Sequence, residues 1–476
     1  MSTVQQKELT LLLAVVTKYA DTLLMAASAS GGDFARVEEA VGDFILRLRP
    51  ALVESGLRVC SASCSRDYSC PECVCPLYRW DSRERMVTTS EGEGRYESVR
   101  YRCSRCGKSY YPLEEGNGLT GSHFTTGAKA RIGREAADMP YSSASERLKE
   151  RGLYVSPKEV DRITGEVSSW RQEEERAAVA STFPEVIGLE GETPSPLSGS
   201  DPHIPPALFD WSSWKKEEAA LISVDGAAVR SPEKDGTGLI WFEGRSAIIA
   251  PVAEDSRAKT QYVSGIHTPD ALFDRLYAGL QPNGNPKRMT VFVADGATWI
   301  WERARLYFTD AVQVLDIYHA GEHVASAGIH CFGEGTAEAK RWREKAREML
   351  LEEERARGVL RALAEQLRSP EKLADADKAR TEFRYFWKNR HRMRYQWLKK
   401  QGLPIGSGAM ESAIKQLSTK RLRQPGMKWS KRGANDMLSL RAAHLSGELP
   451  NTVRRKNNSL HALAARFTRP ILQLAA

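Results

Sequence analysis

No uninterrupted apolar run in this 476-residue chain reaches the ~18 residues that a membrane-crossing helix needs. The nearest stretch, "LTLLLAVVTKYADTLLMAASAS", imitates a signal peptide and contains Ala27-Ser28-Ala29. Lys18 and Asp21 break its apolar core, and no basic segment precedes it. The expectation is an amphipathic helix in a cytoplasmic protein with no membrane partner. No internal repeat of solenoid length is present, which excludes an array. Cysteine is scarce outside one region: seven of the eight lie between Cys60 and Cys106, and Cys331 stands alone, as a core residue. Such clustering in a reducing compartment argues for metal rather than for a disulfide framework.

The chain is 41% apolar and 27% charged, as expected of a soluble globular protein with real cores, and its length suggests two to four domains. The net charge of +8 and pI of about 9.0 favour nucleic acid or another polyanion as partner.

Residues 1–59 read as an N-terminal helical region, with apolar positions three and four apart in "FARVEEAVGDFILRLRPALVESGL". Residues 60–118 hold the cysteines. In residues 119–183, "SSASERLKERGLYVSPKEVDRITGEV" reads as a helix, a break at Gly152, and a second helix opened by Ser156-Pro157. That spacing occurs in DNA readers and in plain helical hairpins. Residues 184–215, rich in Pro, Ser and Gly, read as a linker. Beyond it the texture changes. "ALISVDGAAV" is a short apolar run ending on Asp225, "GLIWFEGRSAIIAPV" reads as two strands, and "MTVFVADGATWIW" is a strand ending on Asp295. Runs without alternation predict strands covered on both faces, hence an α/β sheet.

Asp225 and Asp295 each open the tripeptide Asp-Gly-Ala after an apolar strand. Acids there lie at the edge of an α/β sheet where ligands bind. If the strands are neighbours the two carboxylates meet, and close carboxylates repel unless cations neutralise them. Hard oxygen ligands with open positions suit Mg²⁺, and two such ions can activate a nucleophile and steady a leaving oxygen in phosphoryl transfer. Glu411, behind the turn in "LPIGSGAMESAIKQ", is the candidate third acid. Taken singly, Asp-Gly is an ordinary turn dipeptide and an acid near a helix start is an ordinary cap.

The order "VDGA", "VADGATW", "LDIYHAGEH" and "IGSGAMESAIKQLSTKRLRQPGMKW" resembles the insertion-sequence DDE transposases of the ISKra type, bacterial relatives of the Mutator-like group. The resemblance implies a ribonuclease-H-like catalytic domain at 216–445, with an all-α insertion at about 320–402. It implies Asp225, Asp295 and Glu411 as a catalytic triad holding two Mg²⁺ ions. Their separations of 70 and 116 residues leave room for the insertion. Asp316 and His319 fit the Asp-x-x-His pattern of relatives as supporting residues. Insertion-sequence ends and target DNA are the implied partners, in a nucleoid-associated homo-oligomer. Residues 446–476 are left as a C-terminal tail.

Cys70-Pro-Glu-Cys73 and Cys103-Ser-Arg-Cys106-Gly107 are paired C-x-x-C knuckles, the pattern of a tetrahedral structural Zn²⁺ site in a zinc ribbon. Cys60, Cys64 and Cys75 are extra and keep the ligand set open. "HAGEH", His319 to His323, is a literal H-x-x-E-H, which in inverted zincins binds zinc and supplies a base. It raises a metalloprotease as a remote alternative. A transposase-derived regulator without catalysis is the nearer one. Lys415, Lys420, Arg421, Arg423, Lys428, Lys431 and Arg432 surround the proposed pocket as phosphate contacts. "FRYFWKNRHRMRYQWLKK" interleaves aromatics with cations, either to grip nucleic acid or as a helix with a core face. Trp342 is a candidate to stack on a displaced base.

Overall fold

The computed structural model describes residues 2–64, 67–183, 208–209, 214, 219–235, 238–252, 260–280 and 289–468. Two compact units result: Met1–Glu173 with Leu449–Ala476, and Pro205–Glu448 with the end of a long helix from Glu174.

The first unit opens with two helices, α1 (Thr3–Ala29) and α2 (Phe34–Ser63), joined at Gly31 and Gly32, both at positive φ. Among the described residues α1 is the helix long and apolar enough, by length and composition, to cross a bilayer. Its best 18-residue window has a mean hydropathy of 1.5. Core helices and signal sequences share that character. The helix is thus more evenly apolar than the amphipathic reading expected, with Leu9, Leu13, Leu24 and Met25 exposed. Next come β1 (Leu77–Thr89), β2 (Gly92–Cys103) and β3 (Ser109–Tyr110), an antiparallel sheet in that order. Helix α2 packs on β2 where Gly94 leaves space; a Cβ there would come within 3.0 Å of Leu57 and Val53. Short α3 (Pro112–Gly116) brings in Glu114, buried and satisfied by Arg85 and Ser98.

Then follow α4 (Thr126–Asp138), α5 (Tyr141–Lys149) and α6 (Pro157–Thr182). The break is at Gly152, φ +79°, and Ser156 Oγ accepts from Glu159 N at 3.2 Å, so the helix, break and helix stand where the sequence puts them. The expected C-terminal tail is instead a helix, Leu449–Ala465, whose Asn457 Oδ1 accepts from Thr126 Oγ1 at 2.6 Å. Its apolar positions are interrupted by Arg454-Arg455-Lys456-Asn457-Asn458, which hid the periodicity. Most of the expected linker, 184–215, lies outside the described residues. Leu208, Phe209 and Trp214 within it are buried in the second unit's core.

In the second unit β4 (Ala220–Asp235), β5 (Gly238–Pro251) and β6 (Gln261–Gly265) are followed by α7 (Pro269–Leu280), β7 (Thr290–Ala294), α8 (Thr298–Tyr307) and β8 (Val312–Leu315). The sheet order is β6-β5-β4-β7-β8. β5 pairs antiparallel with both β6 and β4; β4, β7 and β8 are parallel. Ala247 and Ile249 belong to the core shared with α7 and α8. Ile248 between them belongs to the opposite core, formed with the helices that close the unit. Covering both faces explains the unbroken apolar runs.

The segment read as two strands is one. Gly244 lies inside β5 because a Cβ there would meet Leu438 Cδ1 at 2.9 Å, so the glycine marks close packing, not a turn. Helices α9 (Ile317–Phe332), α10 (Ala337–Glu352), α11 (Arg357–Gln366), α12 (Ala376–Asn389) and α13 (Tyr395–Lys400) form the segment between β8 and the glycine turn. Trp342 is half-buried there, with its Nε1 donating to the Val324 carbonyl at 3.1 Å. Beyond the turn come α14 (Gly408–Ile414), a π-helical segment Lys415–Thr419, α15 (Lys420–Leu422) and α16 (Lys431–Leu445). Buried Arg441 donates to the Gln416 carbonyl at 2.9 Å within the π segment.

Candidate active site and metal centre

Parallel pairing of β4 with β7 runs from Ala220↔Thr290 to Ser223↔Val293. Asp225 and Asp295 each stand two residues beyond that last rung, so they emerge side by side at the carboxyl edge. Asp225 does not end its strand as expected. β4 continues to Asp235, paired only with β5, so Asp225-Gly226 is mid-strand where β4 parts from β7. Its Oδ1 accepts from Gly226 N at 2.7 Å. Asp295 Oδ1 accepts from Ala297 N at 2.8 Å, and its carbonyl accepts from Trp301 Nε1 at 2.8 Å, fixing the turn into α8. Glu411 is exposed in the first turn of α14, which packs on β4 and β5.

These acids feel one another. Burial pushes the Asp225 carboxyl up, the Gly226 N–H pulls it down, and the charges of Asp295, Glu243 and Glu411 raise it, leaving it at about 6. An all-oxygen donor set under mutual repulsion suits a hard divalent cation such as Mg²⁺. The acids do not close on one another: among the described residues only the four knuckle cysteines bring three or more ligand atoms within 4.8 Å of one another.

Asp316, 6% exposed, accepts from Tyr318 N at 3.2 Å, Ser407 N at 3.1 Å and Ser407 Oγ at 2.9 Å. It therefore caps α9 and anchors the glycine turn that carries α14. His319 lies one turn into α9, its ring 6.3 Å from that of Tyr385.

Sequence reasoning missed two neighbours. Glu243 on β5 lies over Gly226, whose Cβ would fall 2.2 Å from its carboxylate. Tyr385 on α12 sets its hydroxyl against Gly296, 2.6 Å from where a Cβ would be; the hydroxyl is buried without a hydrogen-bond partner. Burial, then the charges of Asp295 and Glu382, hold it above the usual tyrosine range. A glycine after each acid was the available signal, since both glycines admit these side chains.

The H-x-x-E-H residues do not converge on a metal. His323 Nδ1 pairs with Glu382 at 2.7 Å and its ring stacks on Tyr385 at 3.6 Å, while His319 Nδ1 is 3.4 Å from Glu322. Among the expected phosphate contacts Lys415, Lys420, Arg423, Lys428, Lys431 and Arg432 are exposed. Arg421 is not: it is 1% exposed, with its guanidinium 5.0 Å from the Trp429 ring centroid. It is a packing residue, because Trp429 folds back to donate to the Leu422 carbonyl.

In the first unit Cys70, Cys73, Cys103 and Cys106 are positioned to bind a metal ion. Their sulfurs lie within 4.8 Å of one another, with Cys70–Cys106 at 3.7 Å and Cys73–Cys103 at 3.3 Å. Tetrahedral zinc at ~2.3 Å from each sulfur would place sulfurs about 3.8 Å apart, so the set is compatible with structural Zn²⁺. Burial pushes Cys70 up, but the Cys73 and Glu72 N–H groups and the Tyr110 hydroxyl outweigh it and lower the thiol to about 6. Cys60, Cys64 and Cys75 stay outside the cluster.

The knuckles are alike: Val74 N donates to Cys70 O at 2.9 Å, and Gly107 N to Cys103 O at 3.1 Å. Both acceptor loops need a left-handed residue, φ 70° at Gly107 and φ 58° at Val74. A β-branched side chain is strained there. Val74→Gly is therefore expected to stabilise the unit by ~1 kcal/mol, visible as a higher Tm at unchanged metal content. A lower Tm would show that Val74 carries no such strain.

The fold and site thus define a mixed α/β protein with an acidic sheet edge and a separate four-cysteine centre. The model of an uncharacterised protein family, UPF0236, matches residues 283–459, a span that includes Asp295, Asp316 and Glu411. No curated protein matches the chain.

Proposed function

We propose that the chain is a DNA transposase of the Asp-Asp-Glu kind, which cleaves phosphodiester bonds at insertion-sequence ends and joins the freed 3′-hydroxyl to target DNA. The register that sets Asp225 beside Asp295, next to the helix bearing Glu411, carries the reading. Three antiparallel strands followed by two parallel ones, ordered β6-β5-β4-β7-β8, support a ribonuclease-H-like domain. The helices between β8 and α14 support an insertion ahead of the last acid.

Two bound Mg²⁺ ions would supply an activated water and charge stabilisation for the leaving oxygen. Asp225 and Asp295 would hold them from the sheet, and Glu411 from α14. Asp316 keeps α14 in place through Ser407. In the first step water adds to phosphorus and the P–O3′ bond breaks, leaving a 3′-hydroxyl. In the second that hydroxyl attacks a target phosphorus and displaces a 3′-oxygen. Exposed Lys415, Lys420, Arg423, Lys428, Lys431 and Arg432 would hold the backbone, with the protein a homo-oligomer on DNA. The reading is also favoured over a regulator that only binds DNA by the gathering of Asp225, Asp295 and Glu411, whose charges push Asp225 up together with its burial.

The test is strand cleavage of labelled DNA from the element's ends, with Mg²⁺ and with Mn²⁺. Nicks bearing 3′-hydroxyls at the element boundary are expected. Binding without cleavage by the folded, metal-supplied protein would leave the regulator reading in place.

The two arginines near α14 separate DNA contact from packing. Arg423→Glu is expected to weaken binding several-fold on any sequence and to flatten the salt dependence by about one charge. Arg421→Glu, a buried charge reversal, should instead cost ~3–5 kcal/mol of stability. Equal melting temperatures for the two variants would contradict the burial of Arg421.

A further inference from the structure

A second, cationic cleft lies at the far edge of the same sheet. Its cavity of about 360 Å³ is lined by Arg305 of α8, Gln313 of edge strand β8, and His391, Arg394 and Trp397 around the start of α13. It borders the beginning of β8, whereas the acids stand at the carboxyl ends of the strands. Behind Gln313 is Arg392, 1% exposed. Its Nε donates to Gln313 Oε1 at 3.0 Å and its Nη1 to Asn389 Oδ1 at 2.7 Å, but Nη2 is buried with no hydrogen-bond partner.

Positive charge here is met more by rings than by acids: Arg392 lies over the Trp301 ring at 4.2 Å and Arg394 over the Trp397 ring at 4.4 Å. Arg394 reaches one acid, Glu354, at 3.9 Å, and that carboxylate also accepts from Trp397 N at 2.7 Å. Burial, then Arg392, Arg305 and Arg390, push His391 down to about 4. Burial and Arg305 lower Arg392 to about 10. Guanidinium groups around a small open cavity match the oxygens of a phosphoryl group, which they bind through paired N–H donors.

We propose that this cleft is a phosphate-binding site, taking a phosphoryl group either of a free di- or triphosphate or of a nucleic-acid strand. It binds by Arg305 and Arg394 at the mouth, with Gln313 at the back, held in place by Arg392. Nothing in this depends on the acidic edge or on cleavage.

The experiment uses the full chain with ¹³C-labelled histidine at pH 6 in EDTA, the His391 signal being assigned through His391→Gln. Pyrophosphate and the oligonucleotide hexathymidylate are titrated separately. Anion binding should move the His391 signal towards its protonated position, and Arg305→Gln/Arg394→Gln should weaken binding at least tenfold in a protein that still folds and melts cooperatively. Response to pyrophosphate alone identifies a free phosphate as ligand; response to hexathymidylate identifies a strand. A His391 signal that neither probe moves, or that moves equally in the double variant, overturns the proposal. Because no divalent metal is present, either result is separable from success or failure of cleavage.

Discussion

Asp225→Asn is expected to abolish strand cleavage, by on the order of a thousandfold or more, while making the metal-free protein more stable. The stability half follows from its surroundings. The folded carboxyl titrates at about 6, above its ordinary 3.8. An acid raised in this way favours the folded state when protonated. Its contribution is fully present below about pH 4 and is lost as pH rises through about 6. Asparagine keeps an oxygen for the Gly226 N–H and removes the charge that Asp295, Glu243 and Glu411 oppose. At pH 7.5 without metal the variant should therefore gain on the order of 2 kcal/mol, a rise of several degrees in Tm. Added Mg²⁺ should raise the wild-type Tm and leave the variant's nearly unchanged. Glu411→Gln and Asp295→Asn should lose cleavage as severely, and the losses should not add, since the acids act as one unit. A destabilised Asp225→Asn protein that still cleaves would remove Asp225 from the site.

Cys103→Ser, or extraction of the metal, is expected to unfold the β1-β2-β3 module. Bound structural zinc contributes ~10–16 kcal/mol of apparent binding free energy in small domains, more than a three-stranded sheet with a core of few residues supplies alone. That core consists mainly of Tyr68, Leu77, Tyr101, Tyr110 and Phe467 around Cys70 and Cys103. Freshly purified, reduced protein should carry one Zn²⁺ per chain. After chelation, amide exchange protection across 68–110 should collapse and return on adding zinc. Zinc-free protein with those amides still protected would show that the cysteines are a packed core and nothing more.

The legibility of these features in the sequence varied with the range of the interactions behind them. The four cysteines were legible because ligand spacing is local. Asp225 and Asp295 were singled out because apolar runs stop at them, and the register does set them side by side, but the stop misled about β4. Past Asp225 the strand keeps one neighbour instead of two, so it becomes partly polar while remaining a strand. Arg421 was misassigned because a run of cations does not say which guanidinium faces inward; that was decided by Trp429, eight residues on. Glu243 and Tyr385 are 18 and 160 residues from Asp225 in the chain and reach it only through tertiary packing.

The contact between Asp316 and Ser407 has a consequence for how such a protein can vary. It joins residues 91 apart, one at the exit of β8 and the other at the entry to α14. The backbone repeats the closure, with Ile317 N donating to the Ile405 carbonyl at 3.0 Å. The whole helical excursion between them thus leaves and returns through one doorway. Its length does not set where Glu411 stands; the doorway does. Changes of length at the excursion's exposed turns should leave the doorway unchanged, as insertions are tolerated wherever chain ends meet. Tyr385, packed against Gly296 beside Asp295, and Tyr395, whose hydroxyl donates to the Leu315 carbonyl at 2.9 Å, limit that freedom, because there the excursion is part of the sheet's own packing.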